Sequence, residues 1–321
     1  MVKILIIRDK TLSFNGGIKK HCYDLQKLMS TYKNIEMLPI EDIASKYLKI
    51  VRKFVFIPKK LNTYITQSNC DIVHIHGFMS IGIVQAINAA HKQNKKIIYS
   101  PHFHPFKYLR NPLLGKLFFY LILKPILHKI DTIITINKED SAFFKRYHSK
   151  VIQIPHWSNI SQSHINLPKQ KDMILFIGRN DSNKGLEHLY NLPTHYQVHC
   201  VTKGPLKRKD FILHERLSDS ELSLLYQKAS IVVVPSKYEA FSLVALEALS
   251  YHTPIVISNR VRIADYLTGD SGYSIFKYHD YTDFNNAICK TLQMNNINFK
   301  QLLLPFRKEN IQEKYYQVYN N

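Results

Sequence analysis

Acidic residues are scarce in this 321-residue chain, which has 24 Asp and Glu against 44 Lys and Arg and a formal net charge of +20. The deficit is concentrated between residues 43 and 130, where Asp71 is the only acid among fourteen lysines and arginines. A basic field of this kind favours polyanionic partners, namely anionic lipid, nucleic acid or phosphorylated substrates.

Cysteine, glycine, proline and long apolar runs are also sparse. Four scattered cysteines without metal-ligand spacing are typical of a reducing compartment, and ten Gly and thirteen Pro exclude a collagen-like or low-complexity chain. The longest apolar run, residues 117–127, is interrupted by Lys124 and is too short to span a bilayer. The N-terminal residues become charged too early for a signal peptide. We therefore expect a cytoplasmic protein.

The hydrophobic pattern alternates between strands and helices through both halves of the chain. Such alternation predicts an α/β fold of two Rossmann-like, doubly wound domains facing a central cleft. A polar stretch, residues 158–172, is the best linker candidate. The predicted domains are residues 1–160 and 161–305, followed by a final helix at 306–321. The strands of the first half are predicted near residues 2–7, 72–76, 96–100, 131–136 and 151–155, and its helices near 17–29, 81–93, 113–128 and 138–147.

Residues 235–249 contain two glutamates placed to bind the two ends of one ligand. They follow an apolar run, residues 231–234, that predicts a buried strand, and an amphipathic helix is predicted from about Ser242. Glu239 lies in the turn and Glu247 in the helix, about 12 Å apart if all eight steps are helical. The helix N-terminus between them offers N–H groups to phosphate. Two solvated surface glutamates are the alternative explanation.

Cations follow the predicted strand at residues 173–178. Arg179 lies at its end and Lys184 lies five residues later, so both could stabilise a diphosphate leaving group. The sequence has no Asp-x-Asp pair and no His/Cys cluster of ligand spacing, so we expect no metal and no other cofactor. The alternative is an ordinary loop with surface cations.

Two smaller motifs in the first half could face the same ligand. Gly17 lies in a double glycine that opens a helix after the first strand, where backbone can approach a phosphate, although such pairs often mark plain turns. His102 ends a predicted strand and could hydrogen-bond a sugar hydroxyl. We expect His74, His76 and His104 to be structural.

Two segments, residues 46–60 and 106–130, mix lysine and arginine with aromatic and aliphatic residues. This composition is typical of helices that lie on a membrane surface. It is equally compatible with core helices that have a solvated lysine face.

The order of motifs resembles that of family 4 glycosyltransferases, which have the GT-B fold. The resemblance extends over nearly the whole chain. It is carried by Gly16-Gly17-Ile18 with His21, Asp71 through His76, Ser100-Pro101-His102, Ile154-Pro155-His156, Phe176 through Arg179, Lys184-Gly185, Leu222 with Tyr226, and Pro235 through Glu247.

The resemblance implies metal-independent transfer with retention of anomeric configuration. The nucleotide-sugar would be bound mainly by the second domain, residues 161–305, and the acceptor mainly by the first, residues 1–160. The resemblance also implies that Glu239 holds sugar hydroxyls, Glu247 the ribose, and Arg179 with Lys184 the diphosphate. The implied catalytic residues are His102, Glu239, Arg179 and Lys184. The implied donor-binding residues are Gly17, Arg179, Lys184, Glu239, Phe241, Ser242, Leu243, Val244 and Glu247.

Five positions depart from the family pattern. Ala240, Ser242 and His252 stand where glycines are usual, and His156-Trp157 replaces a usual Asn-Gly. These departures bear on which donor is bound more than on which class of reaction is catalysed. The segment around Tyr315 is expected to form the family's last helix, which returns to the first domain.

Three functions compete on the sequence. The first is a hexosyltransferase acting at the inner membrane face on a lipid-linked glycan, with an anionic membrane surface as partner. The second is a GT-B enzyme of another class, an epimerase or a phosphorylase. The third is a basic nucleic-acid-binding protein, which the absence of helix-turn-helix, finger or RNP-type motifs disfavours.

Overall fold

The computed structural model describes residues 2–8, 17–30, 34–39, 47–50, 53–56, 61–102, 104, 106–107, 112–160 and 167–321. The chain forms two compact units. The first, unit 1, comprises Met1–His156 and Lys308–Asn321, and the second, unit 2, comprises Trp157–Arg307.

Unit 1 contains a six-stranded parallel sheet in the order β2-β1-β5-β6-β7-β8. Its central strands are almost continuously apolar and buried, as expected for a parallel sheet covered on both faces. The strands are β1 (Lys3–Arg8), β2 (Asn34–Pro39), β5 (Ile72–His76), β6 (Lys96–Ser100), β7 (Thr132–Thr135) and β8 (Val151–Gln153), with a separate hairpin of β3 (Tyr47–Ile50) and β4 (Lys53–Phe56).

The helices of unit 1 are Gly17–Met29, Leu61–Gln67, Ile81–Lys92, Pro112–Phe118, Lys138–Phe144 and Lys308–Asn320. The last of these packs on the rest of unit 1 through buried residues that include Tyr315 and Tyr319. Its Gln312 side chain donates to the Leu28 carbonyl at 2.6 Å.

The helix predicted at residues 113–128 is broken. The α-helix Pro112–Phe118 continues as a π turn, Phe119–Leu123, and then as a 3₁₀ turn, Lys124–Lys129. Pro125, which has no N–H to donate, lies in the first turn of the 3₁₀ segment, where that N–H is not needed.

Unit 2 contains a second six-stranded parallel sheet, in the order β11-β10-β9-β12-β13-β14. Within the unit this is the Rossmann order 3-2-1-4-5-6, whose direction reverses between β9 and β12. The strands are β9 (Gln170–Ile177), β10 (Gln197–Val201), β11 (Ile212–His214), β12 (Ala229–Val234), β13 (Ile255–Ser258) and β14 (Tyr273–Phe276).

The α-helices of unit 2 are Asp219–Lys228, Leu243–Ser250, Tyr281–Leu292 and Phe299–Leu302, with 3₁₀ turns at Leu186–Asn191, Arg262–Tyr266 and Leu304–Phe306. The capping box expected from Ser218 and Glu221 is present, since each side chain accepts from the other residue's backbone N–H.

The predicted α/β fold with parallel sheets is confirmed. The predicted strands at residues 72–76 and 96–100 match their observed bounds. The sequence prediction did not include β2, β11 and β14. These three strands are short and lie at a sheet edge, where periodicity over three to six residues is weak. The prediction was wrong for residues 46–60, where a helix was expected and the hairpin of β3 and β4 is observed. Within the described part of the chain, no helix has both the length and the apolar character needed to cross a bilayer.

Candidate active site

The point where strand order reverses positions the candidate donor residues of unit 2. Lys184 follows β9 by a short loop, and Glu239 follows β12. Ligands of open parallel sheets bind beyond the carboxyl ends of the strands at such a reversal. The two predicted residues therefore lie where the fold favours a ligand.

Lys184 and Glu239 form an ion pair. The Lys184 Nζ lies 2.8 Å from Glu239 Oε1, and the Ser236 hydroxyl donates to the same carboxylate oxygen at 2.6 Å. The side chains are only 22% and 11% exposed, so solvent screens the pair weakly. The carboxylate thus has a fixed position and a satisfied charge before any ligand binds.

The loop that carries Lys184 is tightly specified. Asp181 Oδ1 accepts from the backbone N–H groups of Asn183 and Lys184, which is an Asx-type turn. Gly185 has φ +71°, and a Cβ there would lie 1.9 Å from the Pro235 carbonyl oxygen. Only glycine allows this approach between the loop and the end of β12.

Backbone hydrogen bonds hold Glu239 from its other side. Its N–H donates to the Arg260 carbonyl at 3.2 Å, and its carbonyl accepts from the Arg262 N–H at 3.0 Å. The Asn183 amide also donates to the Tyr238 carbonyl at 3.1 Å. Two neighbouring loops of unit 2 therefore fix the loop that contains Glu239.

The helix after Glu239 begins later than the span argument assumed. Ser242 is the N-cap, accepts from the Ala245 N–H, and has φ −134°, so the helix runs Leu243–Ser250. Residues 239–242 are not helical, and the 12 Å helical separation of Glu239 and Glu247 does not apply. Ser242 fills its position as a cap residue, with no need for the glycine usual there.

Glu247 accepts a hydrogen bond from a buried phenol. The Tyr226 hydroxyl donates to Glu247 Oε2 at 2.8 Å. Burial, and then the Glu247 charge, raise the pKa of Tyr226 well above its ordinary value, so the phenol stays a donor. The carboxylate is thereby oriented from within unit 2.

Arg179 is the most open of the candidates. Its side chain is 69% exposed, and its guanidinium lies 3.0 Å from Asp181 on the same loop. A diphosphate would have to exchange with Asp181 to engage it. Phe241, also predicted as a donor contact, is buried and packs against Phe306 with ring centroids 5.7 Å apart.

Unit 1 brings together histidines that are far apart in sequence. His76 is the last residue of β5, His102 follows β6, and His21 lies on the helix that begins at Gly17. His76 Nδ1 lies 2.8 Å from His102 Nε2, and His21 Nδ1 lies 2.9 Å from His156 Nδ1. His74, adjacent in the sheet, uses one ring nitrogen on Tyr319 and the other on Ser100, each at 2.9 Å.

All five imidazoles of this group are neutral at physiological pH. Burial lowers the pKa of His74 to about 3 and that of His156 to about 4. Burial, with repulsion from neighbouring imidazoles, lowers the pKa of His21, His76 and His102 well below the ordinary value. The cluster can donate and accept hydrogen bonds but carries no charge.

His102 itself has a strained backbone. Its φ is +60°, in the left-handed region that non-glycine residues rarely adopt. Such outliers persist where the surroundings over-determine them, and they are concentrated at functional sites. Gly17 and His102 both belong to unit 1, where Gly17 begins the helix that follows β1 and His102 follows β6.

Several residues of these sites were not found by sequence reasoning. Asp181 and Ser236 position Lys184 and Glu239, and the only sequence signals were an Asx-turn composition and a strand end. His76 was expected to be structural, yet it contacts His102 directly. His21 was noted only as part of the glycine motif.

Fold and site together define a class: a two-domain enzyme in which each unit has a parallel α/β sheet. The sequence matches the family model for glycosyl transferases group 1 over residues 159–302 and that for glycosyltransferase family 4 over residues 41–161. The chain belongs to the family 4 glycosyltransferases, which have the GT-B fold.

Individual relatives agree with this class. An uncharacterized 41.2 kDa protein in the cps region of Klebsiella pneumoniae is 22% identical, over 88% of this chain and 84% of that protein. The O-antigen chain mannosyltransferase RfbU of Salmonella typhimurium is 25% identical, over 56% of this chain and 61% of that protein. The structure of the lipopolysaccharide outer core galactosyltransferase WaaB superimposes with a TM-score of 0.73 at 13% identity, covering 99% of each chain.

Proposed function

We propose that this glycosyltransferase moves a hexose from a UDP- or GDP-sugar to a lipid-linked glycan, with retention of anomeric configuration, in surface polysaccharide or glycolipid synthesis. The observation that carries the proposal is the Lys184–Glu239 pair at the strand reversal of unit 2. The mannosyltransferase name of one relative and the cps-region location of another support a hexose donor and a polysaccharide product.

The donor would bind along the ends of β9 and β12. Glu239 would accept hydrogen bonds from sugar hydroxyls, since its carboxylate is already fixed by Ser236. Lys184 would turn from Glu239 toward the diphosphate, and Arg179 would exchange Asp181 for the same group. Cations that meet the diphosphate stabilise the charge that develops as the nucleotide leaves.

The ion pair also explains how the site holds charge without donor. A carboxylate and an ammonium group this far from solvent would each be costly alone, and pairing offsets that cost. Donor binding would exchange one pairing for another. The hydroxyls of the donor sugar would replace the Lys184 ammonium group at Glu239, and that ammonium group would pair with the phosphates.

The glutamate at the other end of the donor helix would hold the ribose. Glu247 is oriented by the Tyr226 hydroxyl and would accept hydrogen bonds from the vicinal hydroxyls of the ribose. The N–H groups at the start of helix Leu243–Ser250 would donate hydrogen bonds to phosphate oxygens. In unit 1, His102 would meet the sugar as a neutral imidazole, together with backbone at Gly17.

An exposed apolar surface of unit 1 supports action at a membrane. Leucines and a tyrosine that a soluble helix would bury are open to solvent here, with Leu121 at 70% exposure. Between them lie the lysines 116 and 124, and residues 106–130 contain no acid. We name as the Leu121 surface the residues Leu113, Leu114, Lys116, Leu117, Tyr120, Leu121, Ile122 and Lys124. Apolar side chains flanked by lysine fit the boundary of an anionic bilayer.

The donor part is tested by thermal stabilisation with a panel of UDP- and GDP-hexoses, followed by transfer assays on glycolipid acceptors. One donor is expected to raise Tm, and NMR of the product should show the anomeric configuration of the donor. Glu239→Ala and Lys184→Ala are each expected to lower kcat by at least about 100-fold. Glu215→Ala and Lys290→Ala, both exposed in unit 2, are the matched controls. Normal turnover in Glu239→Ala, or hydrolysis without transfer, would refute the proposal.

The membrane part is tested by flotation with phosphatidylglycerol or phosphatidylcholine vesicles. We expect binding to the anionic vesicles that Leu121→Ser weakens several-fold. Leu224→Ser, which changes an exposed helical leucine of unit 2, should leave flotation unchanged. Equal flotation with both lipids, or no effect of Leu121→Ser, would remove the membrane from the proposal and leave the enzyme assignment intact.

A further inference from the structure

Three histidines of unit 1 share a geometry that the proposed transfer reaction does not require. His21, His76 and His102 each offer a ring nitrogen, and these three nitrogens lie within 4.8 Å of one another. They come from three different elements, namely the helix Gly17–Met29, the end of β5 and the residue pair after β6. The proposed sugar contact uses only His102.

One ring nitrogen of these three histidines lacks a hydrogen-bond partner among the described residues. His76 is fully buried, and its Nδ1 is shared with His102 Nε2 at 2.8 Å. Its Nε2 has no hydrogen-bond partner among the residues that the structure describes. A buried polar atom without a partner is costly, and its presence in a packed sheet end calls for a ligand or an ion.

We propose that His21, His76 and His102 form a site for one divalent transition-metal ion of the zinc class. Three imidazoles with one open position are a known coordination set for Zn²⁺. The set offers nitrogen alone, which suits Zn²⁺, Ni²⁺ or Cu²⁺ and disfavours Mg²⁺ and Ca²⁺.

The surroundings fit the role of ligands. All three rings are buried, and each imidazole has a ring nitrogen that can act as a metal ligand. His156 contacts His21 Nδ1 at 2.9 Å and is placed to fix the orientation of that ring. Two ligand nitrogens at about 2.0–2.1 Å from one ion lie roughly 3.3 Å apart. The ligand nitrogens, which lie within 4.8 Å of one another, must therefore adjust their separations by on the order of 1 Å through side-chain rotation.

A bound metal ion would inhibit sugar transfer, because it would occupy His102, the imidazole proposed to contact the donor sugar. This consequence rests on the proposed function, whereas ion binding does not. Zn²⁺ is expected to reduce the Tm shift given by the donor, and EDTA should restore it. An unchanged donor shift in the presence of bound Zn²⁺ would separate the two sites and leave the ion site standing.

The direct test is Co²⁺ titration of chelator-treated full-length protein. We expect about one ion per chain with the intense visible bands of tetrahedral Co²⁺, which Zn²⁺ displaces. His76→Gln and His21→Gln should each abolish these bands. The matched control is His199→Gln, because His199 and His214 form a close pair, 3.0 Å apart, in unit 2. Absence of the bands, their survival in His76→Gln, or their loss in His199→Gln would overturn the proposal.

A measurement on the unmodified chain covers the case in which the variants fail to fold. Paramagnetic Co²⁺ should broaden the imidazole NMR signals of His21, His76 and His102 at one equivalent. The signals of His199 and His214 should stay sharp. Broadening confined to that second pair, or to no histidine, contradicts the assignment.

Discussion

The two units hold their candidate reactive groups in opposite electrical states. Unit 2 keeps formal charges and satisfies them in pairs, with Lys184 on Glu239 and Arg179 on Asp181. Unit 1 buries its imidazoles until they are neutral and joins them by hydrogen bonds among themselves and to Tyr319 and Ser100. The charged side chains of unit 2 suit a phosphate group. The neutral imidazoles of unit 1 suit a sugar hydroxyl or a metal ion.

This difference predicts how much stability each unit loses when one interacting side chain is removed. Removing one member of an ion pair leaves an uncompensated charge that is poorly solvated. Removing one member of a neutral network leaves an orphaned donor or acceptor, a smaller cost. The variants below probe this contrast, from the largest expected effect to the smallest.

Gly185→Ala should disrupt the paired-ion site most. The added Cβ meets the Pro235 carbonyl oxygen at 1.9 Å, and φ is +71°. Overpacking and the left-handed backbone together should cost about 2–5 kcal/mol in the free energy of unfolding. The control is Gly204→Ala, with φ +89° and open space around the added atom, which should cost only about 1–2 kcal/mol. Urea unfolding of both variants measures these costs. Equal losses in the free energy of unfolding would show that the close approach to the Pro235 carbonyl does not determine the cost at Gly185.

A double-mutant cycle on Lys184 and Glu239 measures the pairing itself. Lys184→Met and Glu239→Gln should each destabilise unit 2, because the remaining charge loses its partner. The double variant should cost less than the sum, with a coupling free energy of about 1–3 kcal/mol. Additive losses would mean that solvent, rather than the partner, satisfies each charge.

The neutral network of unit 1 is probed by Tyr319→Phe. The change leaves His74 Nδ1 without the hydroxyl that lies 2.9 Å away, inside a fully buried region. We expect a loss of about 1–3 kcal/mol by urea unfolding. Tyr316→Phe, on the exposed side of the same helix, should change stability by no more than about 0.5 kcal/mol. A loss at Tyr319 that does not exceed the loss at Tyr316 would contradict the network.

The contrast between the units also explains what the sequence could and could not predict. Glu239, Ser242 and Glu247 lie in one continuous strand-turn-helix segment, so local pattern was enough to group them. The histidine trio is assembled from residues 21, 76 and 102, and only the strand order of unit 1 brings them together. Local spacing contains no information about that order.

The pairing of side chains also could not be predicted from the sequence. The Asp181 partner of Arg179 and the Ser236 partner of Glu239 depend on loop conformations that include a left-handed Gly185. The exposed Leu121 surface had two explanations at the sequence level, because its composition suits a core helix as well as an interfacial one.

The smallest effect is expected at His252, a histidine of unit 2 that takes no part in a cluster of ligands. It has φ +53° at a position where family members usually have glycine, and its ring stacks on Phe299 with centroids 5.0 Å apart. His252→Gly relieves a backbone cost of about 1–2 kcal/mol. It also loses a ring contact of about 0.5–1.5 kcal/mol and gains unfolded-state entropy worth about 0.5–1 kcal/mol. These terms nearly cancel, so stability should change by no more than about 0.5 kcal/mol.

The background of Phe299→Ala separates the terms. Without the ring partner, His252→Gly should become stabilising relative to Phe299→Ala alone, by about 0.5–1 kcal/mol, because only the backbone and entropy terms remain. Urea unfolding of the four proteins in this cycle measures the difference. If His252→Gly destabilises both backgrounds equally, the stacking on Phe299 is not what retains histidine at this left-handed position. His252 would then be held by a contact other than the Phe299 ring.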